Sequence, residues 1–262
     1  MPYIEKHSPG AFCWIDLGTT DIEAADNFYH SVFGWHIKNV PIGPESFVSI
    51  YQLEGRAVAA AYPLRPEQRS KGETPHWMVY VAVENADEAA NRVSQLGGKV
   101  IAPPFDMSDS GRMATFQDPL GGVFSVWQAK KNIGTEITGV DGTLCWAELS
   151  TPDPARASQF YSDLFGWKAV ADERDPTRYL HIVNGESYIG GFPLSERRDR
   201  KVPPRWLIYF AVSDCDAVAN RAEHRGAKIH LPPTTHEGVG RMAVIADPEG
   251  AVFALFQSAR HA

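Results

Sequence analysis

The chain has 262 residues, of which 44% are hydrophobic and 22% are charged, a composition typical of folded globular proteins rather than disordered or fibrous ones. Its formal net charge of −7 argues against a nucleic-acid partner, because binding to phosphates needs a basic surface. The three cysteines are too few for a disulfide framework, and no apolar leader or membrane-length apolar stretch is visible, so we expect a cytoplasmic protein without a membrane partner.

One segment of the sequence occurs twice. Residues 13–35 match residues 145–167 without a gap, with 11 of 23 positions identical, and residues 111–128 match residues 240–257 with 10 of 18 identical. A repeat of about 130 residues has the size of a domain rather than of a solenoid unit. The predicted parts are a first domain (1–130), a linker (131–142) and a second domain (143–262).

The first copy opens with a strand that continues into a helix. Thr20 and Glu23 have the spacing of a capping box, which predicts the start of the helix. Apolar residues then recur at helical spacing, and Gly34 predicts the end of the helix. Two strands, 47–53 and 57–64, complete a strand–helix–strands unit.

A second unit of the same kind follows in the first copy. The aromatic strand 77–83 leads into a helix that is capped by Asn85 and ended by Gly97. Pro103 and Pro104 predict a loop after this helix. The unit closes with two strands, 111–117 and 122–128.

The second copy repeats this order of elements. Its first helix is predicted to start near Pro152 and to end at Gly166. The later landmarks are the strand 206–212, a helix from Ser213 to Gly226, and a loop at Pro232 and Pro233. Each copy therefore contains two βαβββ units, which predicts an α+β fold of two tandem domains whose curved sheets form cups.

Three motifs carry a resemblance to a known family. They are FY…FGW after the first strand, WMVYVAV at 77–83, and DPxGxxFxxxQ near the end of each copy. They resemble the vicinal oxygen chelate superfamily of glyoxalase I, bleomycin-resistance proteins, fosfomycin-resistance enzymes and extradiol dioxygenases. The likeness occurs once in each copy and so covers almost the whole chain. It is greatest to two-domain glyoxalase-like proteins labelled as hydroxylases. No flavin or nicotinamide fingerprint supports the hydroxylase label.

The resemblance implies tandem glyoxalase-like domains and a divalent metal held inside each cup by His, Glu or Gln side chains. The residues at the implied ligand positions are Trp14, Met78 and Ser125 in the first copy and Trp146, Leu207 and Ala254 in the second, with a fourth position within 59–61 and 189–191. None of these side chains is a usual ligand for a divalent metal. We therefore expect no metal and no other cofactor.

The alternation of side chains along a strand identifies what else faces each cup. The predicted lining residues are Trp14, Asp16, Met78 and Tyr80 in the first copy and Trp146, Glu148, Leu207 and Tyr209 in the second. An apolar surface with a few polar groups suits an aromatic ligand. The candidate catalytic residues are Asp16, Glu148, Tyr80 and Tyr209, because burial raises the pKa of a carboxyl group towards the range useful for acid–base catalysis.

Two arginines leave an alternative open. Arg112 and Arg241 could pair with Asp16 and Glu148, which would give the carboxylates a structural role. The same arginines could instead bind a carboxylate of the ligand through their forked guanidinium groups.

The histidines distinguish the two copies. His181 is aligned with Tyr51 of the first copy and is a further candidate for ligand binding. A cluster of His181, His236 and Glu237 would be a metal or catalytic site in the second copy only. Their spacing disfavours it, because no HxH or HxxxH pattern brings them together.

The favoured function is metal-independent binding of an apolar or aromatic metabolite or antibiotic-like molecule, with acid–base catalysis as an extension. One alternative is a metal-dependent lyase, isomerase or dioxygenase whose ligands lie elsewhere. Another is a non-catalytic interaction protein whose cups are filled by side chains. We expect a monomer or homodimer in which one copy is active and the other is structural.

Overall fold

Two eight-stranded sheets, one from each copy, organise the chain. They are seen in a computed structural model that describes residues 3–43, 46–171, 179–194 and 202–259. The elements of the first copy are β1 (Phe12–Thr19), α1 (Ile22–Phe33), β2 (His36–Gly43), β3 (Ser46–Leu53), β4 (Arg56–Pro63), α2 (Pro66–Ser70), β5 (His76–Ala82), α3 (Ala86–Gln95), β6 (Lys99–Met107), β7 (Gly111–Gln117) and β8 (Val123–Ala129). Those of the second are β9 (Leu144–Ser150), α4 (Pro154–Phe165), β10 (Lys168–Ala171), β11 (Leu180–Asn184), β12 (Ser187–Phe192), β13 (Arg205–Ala211), α5 (Cys215–His224), β14 (Lys228–His236), β15 (Gly240–Ala246) and β16 (Val252–Ser258).

Each sheet is built from two βαβββ units. The strand order in the first copy is β2-β3-β4-β1-β5-β8-β7-β6, and the second copy has the matching order. The first strand of each unit pairs in parallel with the last strand of its own unit, and β1 and β5 join the two units in antiparallel fashion. The predicted α+β fold of two tandem glyoxalase-like domains with curved sheets is confirmed, whereas the exact domain bounds stay a prediction.

The helix ends show where local sequence signals decide the structure. Gly34 ends α1 in a left-handed conformation with φ of 72°, as predicted. The predicted caps Thr20 and Ser213 are wrong, because the next residue, Asp21 or Asp214, supplies the capping carboxylate. A carboxylate beside the first-turn N–H groups also interacts favourably with the helix dipole. Helix α4 begins at Pro154, two residues after the predicted start.

The two proline pairs lie in strands rather than in the predicted loops. Pro103 and Pro104 belong to β6, and Pro232 and Pro233 belong to β14. Both strands are at the edge of a sheet, and both shift register against their neighbour at the prolines. Edge strands tolerate proline because one side of the strand needs no ladder hydrogen bond.

The aromatic residues of α1 and α4 form a core that is shared between the two copies. Tyr29 of α1 packs against Phe253 of β16, with ring centroids 5.8 Å apart, and Tyr161 of α4 packs against Phe124 of β8 at 5.2 Å. One buried apolar cluster includes residues of both sheets. The FY pairs and the FGW tryptophans are therefore buried as predicted, Phe33 and Phe165 are partly buried against the same cluster, and each copy uses these aromatics partly to bind the other.

Hydrogen bonds between the copies are reciprocal. The Tyr29 hydroxyl donates to Asp247 Oδ2 at 2.9 Å, and the Tyr161 hydroxyl donates to Asp118 Oδ2 at 3.0 Å. Each aspartate belongs to the DPxG motif of the opposite copy. A tyrosine–aspartate pair therefore fixes each helix against the partner sheet.

We expect the two copies to unfold together in one transition, because their largest apolar cluster is continuous. Urea titrations followed by circular dichroism and by tryptophan fluorescence should give the same midpoint. Two separated transitions would contradict a shared core.

Candidate functional site

A second, smaller apolar cluster lies on the opposite face of the first sheet. It contains Cys13, Tyr80, Ala82 and Trp127, with three partly buried residues packed against it: Trp14, Met78 and Met113. The antiparallel register pairs Trp14 with Tyr80 and Asp16 with Met78. The structure therefore brings the four predicted lining residues of the first copy together on this face of the sheet, which we call cup 1.

Asp16 is the buried carboxyl group of cup 1, with 9% of its surface exposed. Its Oδ2 accepts a hydrogen bond of 2.6 Å from the Tyr80 hydroxyl. Its Oδ1 is buried and accepts no hydrogen bond from the part of the chain that the structure describes. An ionised oxygen without a donor in such a place is costly, so this atom is poised to receive a donor or a proton.

Burial raises the pKa of Asp16 to about 7, and the hydrogen bond from Tyr80 offsets only part of this effect. Burial and the nearby carboxylate raise the pKa of Tyr80 well above its ordinary value, so that Tyr80 stays a neutral donor. The carboxyl group of cup 1 therefore changes its protonation state near neutral pH, which suits a general acid or base.

A second tyrosine, Tyr62, lies in the same cup but does not complete the site. Its ring lies against Gly18, where any Cβ would meet the hydroxyl at 3.0 Å. No hydrogen bond joins Tyr62 to Asp16 in the described structure. Tyr62 was not among the predicted site residues.

The equivalent face of the second sheet, which we call cup 2, gives its carboxyl group different hydrogen-bond partners. Glu148 Oε2 accepts a hydrogen bond of 2.6 Å from Tyr209, the counterpart of Tyr80. Glu148 Oε1 accepts one of 2.8 Å from Tyr179. The Tyr179 hydroxyl in turn accepts a hydrogen bond of 2.8 Å from Trp146 Nε1. Both carboxylate oxygens of cup 2 are thus satisfied by the chain itself.

Strand pairing shows which residues of the two cups are equivalent. Asp16 pairs with Ala60, and Ile50 pairs with Ala60 from the other side. Glu148 pairs with Gly191, and His181 pairs with Gly191 in the same way.

His181 is therefore equivalent to Ile50, and the predicted alignment with Tyr51 is wrong by one residue. Because successive residues of a strand face opposite sides, this shift moves His181 to the concave face. Two residues before His181, Tyr179 is equivalent to Val48 of the first copy. The phenol that completes cup 2 thus has no equivalent side chain in cup 1.

The two arginines belong to surface ion pairs and not to the cups. Arg112 binds Asp87, with 2.9 Å between Nε and Oδ2, and also approaches Asp106. Arg241 binds Asp216 in the same way. The pairing of these arginines with Asp16 and Glu148, one of the two alternatives left open by the sequence, is not found, because Tyr80 and Tyr209 supply the donors to the carboxylates.

A family model described as the Glyoxalase/Bleomycin resistance protein/Dioxygenase superfamily matches residues 12–125 and again residues 143–255. The chain belongs to this superfamily.

Proteins of similar sequence match this chain over almost its whole length. The protein CFP32 of Mycobacterium tuberculosis, whose name assigns it provisionally to the glyoxylases, is 37% identical over 261 residues and is matched over 99% of both chains. The anthracycline biosynthesis protein DnrV of Streptomyces peucetius is 34% identical over 266 residues, covering 96% of this chain and 94% of its own.

Solved structures share the fold of this superfamily member. The Mn(II)-bound glyoxalase from Novosphingobium aromaticivorans aligns with a TM-score of 0.66 at 17% identity, covering 96% of this chain and 83% of that one. The 2,3-dioxygenase LapB from Pseudomonas sp. KL28 aligns with a TM-score of 0.64 at 14% identity, covering 98% and 93%. At these identities the likeness establishes the fold alone.

The residues of the cups do not fit the divalent metal that the superfamily fold implies. In cup 1, indole, thioether and methyl groups lie beside a single carboxyl group, Asp16. Among the described residues, no three His, Cys, Asp or Glu side chains converge on a point that could hold a metal ion. The cluster of His181, His236 and Glu237, which the spacing already disfavoured, is therefore not a metal site in the described structure. His181 instead packs among the rings of Trp146, Tyr179 and Tyr188.

No helix in the described part of this superfamily member is both long and apolar enough to cross a bilayer. Tyr179, the residue that most distinguishes the cups, was not among the predicted site residues. A signal was present in the glycine pair Gly190 and Gly191, because a glycine facing the cup leaves room for a ring against the strand.

Proposed function

We propose that cup 1 binds an aromatic, multi-ring small molecule without the help of a metal and that Asp16 exchanges a proton with it. The observation that carries the proposal is the buried Asp16 Oδ1, which accepts no donor from the described chain. Partly buried apolar side chains belong to the same cup, including Trp14, Met78 and Met113. Apolar walls with one oriented polar group are typical of sites for flat hydrophobic ligands.

The class of ligand is supported by the relatives. Two of them, DnrV of Streptomyces peucetius and DauV of Streptomyces sp. strain C5, are named anthracycline biosynthesis proteins and are each 34% identical to this chain. Anthracyclines are fused-ring aromatic molecules, which matches the apolar surface of cup 1. We therefore favour a fused-ring aromatic metabolite as the ligand.

The acid–base part of the proposal follows from the pKa of Asp16, which burial raises to about 7. At neutral pH the carboxyl group is partly ionised, so it can take up a proton from an acidic O–H or C–H of the ligand and return it. Tyr80 holds Oδ2, which leaves Oδ1 as the atom that faces the ligand. The proposed chemistry is proton transfer and involves no change of oxidation state.

A binding experiment tests this function. We expect 2-hydroxyanthraquinone to quench tryptophan fluorescence with one site per chain, and the binding to survive EDTA. Trp14→Leu should weaken it about tenfold, since it removes an aromatic contact with the ligand. The matched variant Trp146→Leu in cup 2 should leave the affinity unchanged. Binding that is lost with EDTA, or that Trp14→Leu leaves intact, would contradict the proposal.

A further inference from the structure

We propose that the ligand of cup 1 is a phenol whose hydroxyl binds where the Tyr179 hydroxyl binds in cup 2, donating to Asp16 Oδ1 and accepting from Trp14 Nε1. This inference rests on the function proposed above and specifies the chemical group that the site recognises. The second copy would then contain, as part of its own chain, an internal mimic of the ligand of the first.

Cup 2 shows the complete arrangement. The Tyr179 hydroxyl lies between two partners, accepting from Trp146 Nε1 at 2.8 Å and donating to Glu148 Oε1 at 2.8 Å. Tyr209 donates to the other oxygen of Glu148. The group recognised by this arrangement is a hydroxyl, because one oxygen must both donate and accept, and in cup 2 this hydroxyl belongs to the phenol of Tyr179.

Cup 1 has every part of this arrangement except the phenol. Trp14 and Asp16 occupy the strand positions of Trp146 and Glu148, and Tyr80 donates to Asp16 as Tyr209 does to Glu148. Val48 stands where the second copy has Tyr179. Within the described structure, the carboxylate oxygen that would face the phenol is the one that accepts no hydrogen bond.

The differences between the cups are those expected if the phenol comes from outside the chain. The ring of Tyr179 lies directly against Gly191, so close that any Cβ there would overlap it. Ala60 carries a methyl group at the equivalent position, which would hold a bound ring farther from the strand. Met78 lies beside Asp16 in the register and is partly exposed, and its flexible thioether side chain can move to admit a ring.

Other ligand groups fit less well. An ether or a ketone cannot donate to Asp16, and a carboxylate would be repelled by the ionised Asp16. An aliphatic alcohol could make both hydrogen bonds but would leave the apolar side chains of cup 1 without an aromatic surface to cover. A phenol satisfies the polar and the apolar parts of the site together.

The test compares two probes that differ only in the hydroxyl, 2-naphthol and 2-methoxynaphthalene, by calorimetry at about pH 8, where Asp16 is ionised. We expect the wild-type protein to bind 2-naphthol about tenfold or more tightly than the ether, as for a hydrogen bond to a charged group. Asp16→Leu should abolish this preference for 2-naphthol. Trp14→Phe should reduce the preference, because phenylalanine keeps an aromatic ring but lacks the N–H donor. Glu148→Gln, which changes the carboxyl group of cup 2 only, should retain the preference.

The outcomes separate this inference from the proposed function. Equal binding of the two probes, together with weaker binding of both to Trp14→Leu, would overturn the phenol inference and leave the aromatic site in place. No binding of either probe would overturn both. If Asp16→Leu does not fold, the double variant Asp16→Leu/Tyr80→Phe removes the unsatisfied tyrosine hydroxyl and serves in its place.

Discussion

Replacing Asp16 by Asn should stabilise the protein at alkaline pH, by an amount on the order of 4 kcal/mol at about pH 8. Burial raises the pKa of Asp16 to about 7 in the folded protein, whereas an unfolded chain has an aspartate pKa of about 3.9. The ionised carboxylate is thus much less favourable in the folded state than in water. Asparagine keeps the shape and an acceptor for Tyr80 without the charge.

The sign of the pH dependence follows from proton binding. Between about pH 4 and pH 7 the folded protein retains a proton on Asp16 that the unfolded chain has released. The contribution of this group to the free energy of unfolding therefore falls as the pH rises through this window and is level above it. The difference between Asp16→Asn and wild type should be small near pH 4 and should reach its full size near pH 8.

Urea unfolding of both proteins across this pH range measures the difference directly, and the subtraction removes the contributions of the other carboxyl groups. Glu148→Gln is the matched control. The pKa of Glu148 is also raised by burial, but two tyrosine hydroxyls oppose the shift, so the gain should be smaller. An Asp16→Asn protein that is no more stable than wild type at pH 8 would show that the carboxylate has a donor in solution.

The fold of this protein is largely readable from its sequence because the repeat and the helix signals are local. Gly34 ends a helix for steric reasons that no distant residue changes. Strand alternation placed Trp14, Asp16 and Tyr80 on one face, and the structure brings them together. The placement of Thr20 as a cap failed because Asp21, its neighbour, competes for the same N–H groups.

What could not be predicted depends on contacts between distant segments. The proline pairs looked like loops because the sequence does not reveal which strands lie at a sheet edge. Tyr179 lies outside the matched repeats, so comparison of the copies gave it no partner. The pairing of Arg112 with Asp87 rather than Asp16 likewise depends on how α3 packs against β7.

The divergence of the two cups gives the duplication a physical consequence. A glycine in place of an alanine and a tyrosine in place of a valine let cup 2 satisfy its own carboxylate. The same fold thereby supports a closed hydrogen-bond network in one copy and an incomplete one in the other. Buried polar networks stabilise a fold only when complete, so we expect cup 2 to contribute stability and cup 1 to contribute recognition.

Replacing Asp247 by Ala should destabilise the whole protein by about 3–5 kcal/mol, the cost of breaking a buried and charged hydrogen-bond network. Asp247 is 4% exposed. Its Oδ1 accepts from the backbone N–H groups of Glu249 and Ala251, and its Oδ2 accepts from Tyr29 of the opposite copy. The substitution therefore removes both the support of a turn and a bond between the copies.

Two variants separate these contributions. Tyr29→Phe removes the bond between the copies and also the acceptor of the Trp77 indole N–H, so it should cost about 1–3 kcal/mol. A double-mutant cycle with Asp247→Ala isolates the coupling between the Tyr29 and Asp247 side chains. Tyr161→Phe breaks the reciprocal bond to Asp118 and should cost a similar amount, since the geometry is the same within 0.1 Å. Because the core is shared, each variant should lower the midpoint of one common unfolding transition. A variant that melts one copy before the other would show that the tyrosine–aspartate pairs, rather than the continuous apolar cluster, hold the copies together.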